Sequence, residues 1–196
     1  MNSTDASPLT SGGRWRPALA VQLLCSQAHS SQPGVVDERA RRLSHEEMAV
    51  ATRLASEGHH VRSLSEGRPR SPVADLEACG VPVEVKSWLS LAERDGRAPT
   101  SRSVVNKLLD AGRQAPVAVL NGYGTGLTAG VARSGMALYA ARPDAGSLTT
   151  VRVLGDGFDL AWARSPQIGV HRHGHGGPDR VSKDGSRAIR GVRLGL

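Results

Sequence analysis

The segment VADLEACGVPVEVKSW, residues 73–88, decides the fold of this chain, because two short strand-like runs meet in it at a Cys-Gly dipeptide. Glycine adopts left-handed backbone conformations without strain, and two-residue hairpin turns require such conformations. In a hairpin closed by this dipeptide, Leu76 lies opposite Val83. The same register places Asp75 opposite Glu84. The register that matches the apolar faces therefore brings two carboxylates together.

The second strand of this hairpin carries charged residues among valines. Side chains point alternately to the two faces of a strand, so Val81, Val83 and Val85 share one face. Glu84 and Lys86 share the other face. A strand with an apolar face of this kind packs on the core, and its charged face therefore needs a separate explanation.

Two explanations of the charged face are open. Directly opposed side chains have Cβ atoms about 4.5–5.5 Å apart, where like charges destabilise the pair. A divalent cation would neutralise Asp75 and Glu84, and Mg²⁺ prefers one or two carboxylates together with waters and phosphate oxygens. Lys86 could then position a water nucleophile or stabilise charge on a phosphorus centre, which predicts hydrolysis of a phosphodiester. The alternative is a solvated ion pair on an exposed sheet face.

The remaining chain predicts an α/β fold with a mixed central sheet flanked by helices. A first helix begins after the N-cap Ser44, has Glu47 at the capping-box position and ends at Gly58. Its apolar stripe contains Met48 and Leu54. The other predicted elements are strand 59–66, the hairpin, a helix capped near Thr100 or Ser101, strand 116–122, a helical stretch in 126–141 and strands 148–154 and 158–164.

Composition divides the 196 residues into three parts. Residues 1–40 mix Ser, Pro, Gly and Arg, which predicts a flexible N-terminal segment. Residues 41–165 form the predicted folded domain. Residues 166–196 are rich in Gly, His and Arg and predict a disordered basic tail, whose HRHGHGG motif could bind a metal ion only if it were ordered. The net charge of +7 favours a polyanionic partner such as nucleic acid.

Several classes of protein are disfavoured. Cys25 and Cys79 are far apart in sequence and have no metal-ligand spacing, so a zinc finger or zinc ribbon is excluded. No segment approaches the roughly 20 apolar residues of a membrane-spanning helix. The run ALAVQLLC, residues 18–25, is short and interrupted by Gln22, and we expect no signal peptide there.

The pattern of Asp75 followed by EVK resembles the PD-(D/E)xK nuclease superfamily, whose core is a helix, three strands, a helix and a strand. The chain has VAD where the superfamily name has Pro-Asp, a departure that moves no ligand. The segments EEMAVATRLASEGHHV and GRQAPVAVLNG look more narrowly like the C-terminal nuclease domains of contact-dependent growth inhibition toxins and other polymorphic toxins. The resemblance covers about residues 44–160.

The resemblance implies roles for five residues. Asp75 and Glu84 match the metal ligands, and Lys86 matches the catalytic lysine. Glu47 matches a carboxylate on the first helix that adds to the metal shell, with Glu46 as the alternative residue, and a capping-box role for Glu47 is also open. Gln114 matches a glutamine that could contact the region of the scissile phosphate or merely cap its helix. The implied cofactor is Mg²⁺ or Mn²⁺ rather than Zn²⁺.

The resemblance also implies a substrate and partners. It predicts a metal-dependent endonuclease that acts on RNA, with tRNA favoured, in the cytoplasm of a cell to which it is delivered as a toxin domain. An immunity protein would be its neutralising partner. A DNA-directed nuclease of the restriction or repair type and a non-catalytic nucleic-acid-binding module are the alternatives. Lys107 and Arg102, on the second predicted helix, are predicted to be solvated surface charges.

Overall fold

The computed structural model describes residues 15–18, 33–65 and 73–165. They form a mixed eight-stranded sheet in the order β1-β8-β7-β6-β5-β4-β3-β2, with three helices. In chain order, the elements are β1 (Trp15–Pro17), β2 (Val36–Asp37), α1 (His45–Ser56), β3 (Val61–Ser63), β4 (Leu76–Ala78), β5 (Val81–Ser87), α2 (Ser101–Ala111), β6 (Val117–Gly122), α3 (Ala129–Ala140), β7 (Thr150–Gly155) and β8 (Phe158–Arg164). The predicted α/β class with a mixed sheet and flanking helices is confirmed.

Helix α1 begins as its sequence predicts. The Ser44 hydroxyl accepts a hydrogen bond from the Glu47 amide at 3.2 Å, and the Glu47 carboxylate accepts one from the Ser44 amide at 2.8 Å. This reciprocal capping box satisfies two amides that have no partner inside the helix. Gly58, just beyond the helix, has a φ of 90°. The apolar stripe differs at its start, because Val50 is buried whereas Met48 is only half-buried.

The hairpin of β4 and β5 has the predicted register. Leu76 pairs with Val83, and the turn residues Cys79 and Gly80 have φ values of 52° and 82°. Both values lie in the left-handed region that the favoured two-residue hairpin turn requires. Strand β4 begins at Leu76, so Asp75 lies immediately before the paired segment. The turn therefore determines which residues of β5 lie beside Asp75.

The central strand β6 shows how the sheet separates two cores. Val117 and Val119 pack with α1, whereas Ala118 and Leu120 pack with α2 and α3. Strands β5 and β6 are parallel, and Glu84 pairs with Ala118. Paired residues of neighbouring strands point to the same face. Glu84 therefore lies on the face that α2 and α3 cover.

The two outermost strands come from residues before position 41. Strand β1 pairs antiparallel with β8, and β2 pairs parallel with β3. The sequence pattern did not predict these strands, because they are two or three residues long and too short to show a period. They therefore depend on hydrogen bonds from the neighbouring strands. The predicted tail, residues 166–196, lies outside the described residues.

No helix within the described ranges combines the length and the apolar character that crossing a membrane requires.

Candidate functional site

Four of the five predicted site residues lie together. Asp75, at the start of the hairpin, accepts a hydrogen bond at Oδ2 from the Val85 amide at 2.9 Å. Its carboxylate is also close enough to those of Glu47 and Glu84 for hydrogen bonding to influence their pKa values. Lys86 projects from the same strand face as Glu84. The structure therefore gathers three carboxylates and one ammonium from α1, the β4 end and β5.

Glu84 is the most deeply buried member of this cluster, with 1% of its side chain exposed. Its Oε1 accepts a hydrogen bond from Lys86 Nζ at 2.5 Å, while its buried Oε2 has no partner among the described residues. Burial raises the pKa of Glu84 to about 7; Lys86 opposes this shift and the negative charge of Asp75 adds to it. The alternative of a solvated ion pair on an exposed sheet face is therefore wrong, because Glu84 is not solvated.

The pKa of Asp75 is also raised. Burial is the largest cause, and the neighbouring Glu47 carboxylate adds to it. The Val85 amide and the Lys86 charge act in the opposite direction. Asp75 and Glu84 therefore form a pair of adjacent carboxylates, both of which bind protons more readily than in water.

Glu47 is held by a residue that the sequence did not identify. Arg41 donates from Nη1 to Glu47 Oε2 at 2.7 Å and from Nη2 to Glu47 Oε1 at 2.8 Å. The same guanidinium lies 3.5 Å from Asp75 Oδ1 and donates to the Leu64 carbonyl. Burial alone would raise the pKa of Glu47, but the bonds from Arg41 and the Ser44 amide outweigh burial and lower it. Glu47 is therefore an anchored, ionised carboxylate.

Nothing in the spacing of the sequence marks Arg41 among its neighbours. Arg39 and Arg42 flank it in the run RARR, and all three precede the helix cap. Only Arg41 reaches the carboxylate cluster, whereas Arg39 forms an exposed pair with Asp37. The tertiary arrangement of α1, β3 and β4 selects which arginine enters the site.

Gln114 lies outside this cluster. It precedes the first residue of β6, whereas Ala118 is the β6 residue beside Glu84. Among the described residues, no hydrogen bond or ion pair links the Gln114 side chain to Glu47, Asp75, Glu84 or Lys86. The Gln114 amide donates to the Ala111 carbonyl at 2.9 Å, at the end of α2. The backbone of Gln114 thus extends the end of α2, and the predicted phosphate contact stays a prediction.

The donor set fits a divalent cation in part. Asp75 and Glu84 are two adjacent buried carboxylates, and the unpartnered Glu84 Oε2 is an available hard oxygen ligand. Glu47 fits less well, because Arg41 and Ser44 already occupy both of its oxygens. As the side chains stand, the described ranges contain no group of three or more His, Cys, Asp or Glu residues arranged to hold a metal ion.

Comparisons with known protein families, curated proteins and solved structures give no match to this chain.

The raised pKa of Glu84 predicts a specific pH dependence of stability. Between pH 4.5 and about 7, the folded state keeps a proton on Glu84 that the unfolded chain has released. The free energy of unfolding should therefore fall as the pH rises through this window, by at most about 3 kcal/mol, and level off above it. The measurement is urea unfolding of the wild type and of Glu84→Gln from pH 4.5 to 8.

The difference between the two proteins removes the contribution of titrating groups that do not interact with Glu84. Burial lowers the pKa of His59, so this residue gives stability that increases with pH and opposes the effect of Glu84. His59 is present in both proteins and cancels. If the wild type and Glu84→Gln show the same pH profile, Glu84 does not carry the proton in the folded state.

Proposed function

We propose that this protein is a metal-dependent endonuclease that hydrolyses phosphodiester bonds of nucleic acid. The observation that carries the proposal is the buried Glu84, which is bonded to Lys86, lies beside Asp75 and has one carboxylate oxygen without a partner in the described part of the chain. A site of this kind places two carboxylates that could bind a cation next to a positively charged side chain. Metal-assisted hydrolysis of a phosphate ester uses both a bound cation and a positive charge near the phosphate.

The two charged residues of β5 have different access to solvent, which suggests different roles. The Lys86 side chain is 22% exposed, whereas that of Glu84 is 1% exposed. Lys86 is therefore the member that can contact a phosphate oxygen of a bound substrate and stabilise negative charge there. Glu84 and Asp75 would hold Mg²⁺ or Mn²⁺, which supplies Lewis-acid chemistry when bound. Glu47 and Arg41 orient Asp75 from the other side.

The order of elements supports placing this core in the PD-(D/E)xK superfamily. From α1 to β6 the chain runs helix, strand, strand, strand, helix, strand, as the superfamily core does. The ExK residues lie on β5, which is flanked by β4 and β6 in the sheet. This assignment is part of the proposal, since it depends on the resemblance of Asp75 and EVK to the superfamily motif.

The substrate and partners follow from charge and resemblance. The net charge of +7 supports attraction to a nucleic-acid backbone that is independent of base sequence. The likeness to toxin nuclease domains favours RNA, and tRNA in particular, over DNA. It also suggests delivery to the cytoplasm of a target cell and an immunity protein that blocks the site.

Incubation of the purified full chain with tRNA and with plasmid DNA tests the proposal. With Mg²⁺ or Mn²⁺ we expect cleavage of tRNA, and we expect EDTA to stop it until excess Mg²⁺ is added back. Cleavage of the plasmid alone would replace the RNA assignment with a DNA-directed nuclease. Binding of both nucleic acids without cleavage in the presence of either metal would refute the nuclease proposal and leave only a nucleic-acid-binding module.

A further inference from the structure

A pocket lies next to the carboxylate cluster, where the end of β5 meets α2 and the first turn of α1. Its volume is about 350 Å³. The residues that line it are Glu46, Ser87, Trp88, Leu89, Arg94 and Lys107. Ser87 directly follows Lys86 in the chain, so the pocket and the proposed catalytic lysine are neighbours. Nothing in the proposed hydrolysis uses Arg94, Trp88 or Lys107.

Lys107 shows that positive charge is concentrated around this pocket. The sequence predicted Lys107 to be a solvated surface charge, but the residue is half-buried on α2. Burial and the nearby charges of Lys86 and Arg94 lower the pKa of Lys107, while Asp110 opposes them. Lys107 therefore lies close enough to Lys86 and to Arg94 for their like charges to repel it. Like charges held together in this way favour an anion between them.

Two of the residues that line the pocket also have a buried donor without an acceptor. Arg94 Nη1 and Trp88 Nε1 are buried and have no hydrogen-bond partner in the described part of the chain. A buried donor without an acceptor destabilises the fold. Neither Arg94 nor Lys107 takes part in an ion pair with any described residue. Both residues thus have their charge available for a ligand.

The acidic residue of the pocket does not neutralise this charge. Glu46 is exposed and lies in the first turn of α1, and its backbone carbonyl accepts a hydrogen bond from Asn121 at 3.4 Å. One exposed carboxylate therefore faces Arg94 and Lys107, with Lys86 beside them. The planar guanidinium of Arg94 can donate two parallel hydrogen bonds to a phosphate group.

We infer that this pocket is a phosphate subsite, in which Arg94 and Lys107 bind a backbone phosphate beside Trp88, next to the phosphate that Lys86 faces. The inference rests on the proposed nuclease function for the identity of the ligand as nucleic acid. The phosphate oxygens would accept from the guanidinium of Arg94 and the ammonium of Lys107 and bring negative charge between these cations. A phosphate held there fixes the register of the chain relative to Lys86.

Binding of inorganic phosphate tests the subsite without any cleavage. We expect phosphate to shift the indole N–H resonance of Trp88 in a ¹H–¹⁵N spectrum of the full chain, with the resonance assigned by its loss in Trp88→Phe. Arg94→Gln should abolish the shift. A shift that is unchanged in Arg94→Gln, or a wild type that shows no shift, would overturn the inference.

A salt series with a short single-stranded RNA in EDTA tests the link to nucleic acid. Each phosphate contact contributes a slope of about 0.7 to the dependence of log affinity on log salt for single strands. Arg94→Gln and Lys107→Gln should each lower the slope by about this amount. Arg133→Gln, which removes an exposed charge on α3, is the matched control and should leave the slope unchanged. Equal slopes in all three variants would overturn the inference.

The outcomes separate the subsite from the catalytic proposal. Phosphate binding that depends on Arg94, without cleavage under any metal, would refute the nuclease proposal and leave the subsite in place. Cleavage that is as efficient in Arg94→Gln as in Arg133→Gln would refute the subsite and leave the nuclease proposal in place. Urea unfolding of each variant identifies any change that reflects loss of fold.

Discussion

Replacement of Lys86 by alanine should reduce the rate of nucleic-acid cleavage by about 10²–10⁴-fold, because a positioned charge or proton-transfer group contributes this much to phosphate or acyl transfer. Affinity for uncleaved nucleic acid in EDTA should change far less, since one of many cationic residues is lost. The measurement is single-turnover cleavage of tRNA with Mg²⁺, together with binding of the same tRNA in EDTA. Retained binding with lost cleavage would exclude a binding module.

The loss of Lys86 also changes the pKa of Glu84. A second variant is needed to separate this change from the loss of the catalytic charge. Without the ammonium at 2.5 Å, the buried carboxylate would become harder to ionise and would hold its proton at neutral pH. Lys86→Met keeps the aliphatic stem and serves as a second variant with better packing. Arg133→Ala, on the exposed face of α3, is the control for charge removal. Cleavage at the wild-type rate in Lys86→Met would contradict a catalytic role.

Replacement of Arg152 by alanine should lower the free energy of unfolding by about 3–5 kcal/mol, which is the usual effect of removing one partner of a buried ion pair. Arg152, on β7, is 2% exposed and donates to Glu57 at 2.6 and 2.7 Å. It also donates to Asp159 of β8 at 2.5 and 2.9 Å. The alanine variant would leave two carboxylates close together with only Arg53 to compensate. Urea unfolding at pH 7 measures the loss.

An exposed arginine pair provides the control for this stability prediction. Arg142 and Asp144 form a similar short contact, but their side chains are 42% and 60% exposed. Arg142→Ala should therefore change the free energy of unfolding by less than about 1 kcal/mol. If Arg152→Ala lowers the free energy of unfolding as little as Arg142→Ala does, then Arg53 alone is enough to neutralise Glu57 and Asp159. The buried network would then not be a main link between α1 and the β7–β8 hairpin.

Much of the fold could be predicted from the sequence because it depends on helix caps and a tight turn. Ser44 and Glu47 predict the start of α1 through the capping box, and Thr100 does the same for α2. The Cys79–Gly80 turn fixes the register of β4 and β5, and that register brings Asp75 to β5 beside Glu84. Each of these features involves residues that are close in sequence.

Other parts of the site depend on residues that are distant in sequence. Arg41 enters the carboxylate cluster because α1, β3 and β4 pack around its guanidinium, and two neighbouring arginines do not. The half-burial of Lys107 results from the packing of α2 beside the end of β5. A pattern of charges along the chain cannot show which charges become buried.

The sequence by itself determined the hairpin register, the helix caps and the grouping of Asp75, Glu84 and Lys86, because turns and periodic side-chain directions act over a few residues. Only the tertiary structure decided that Glu84 is buried and protonates readily, that Arg41 anchors Glu47, and that Arg94 and Lys107 border one pocket. Burial and electrostatic environment depend on which elements pack together, and that packing is a property of the whole sheet and its helices.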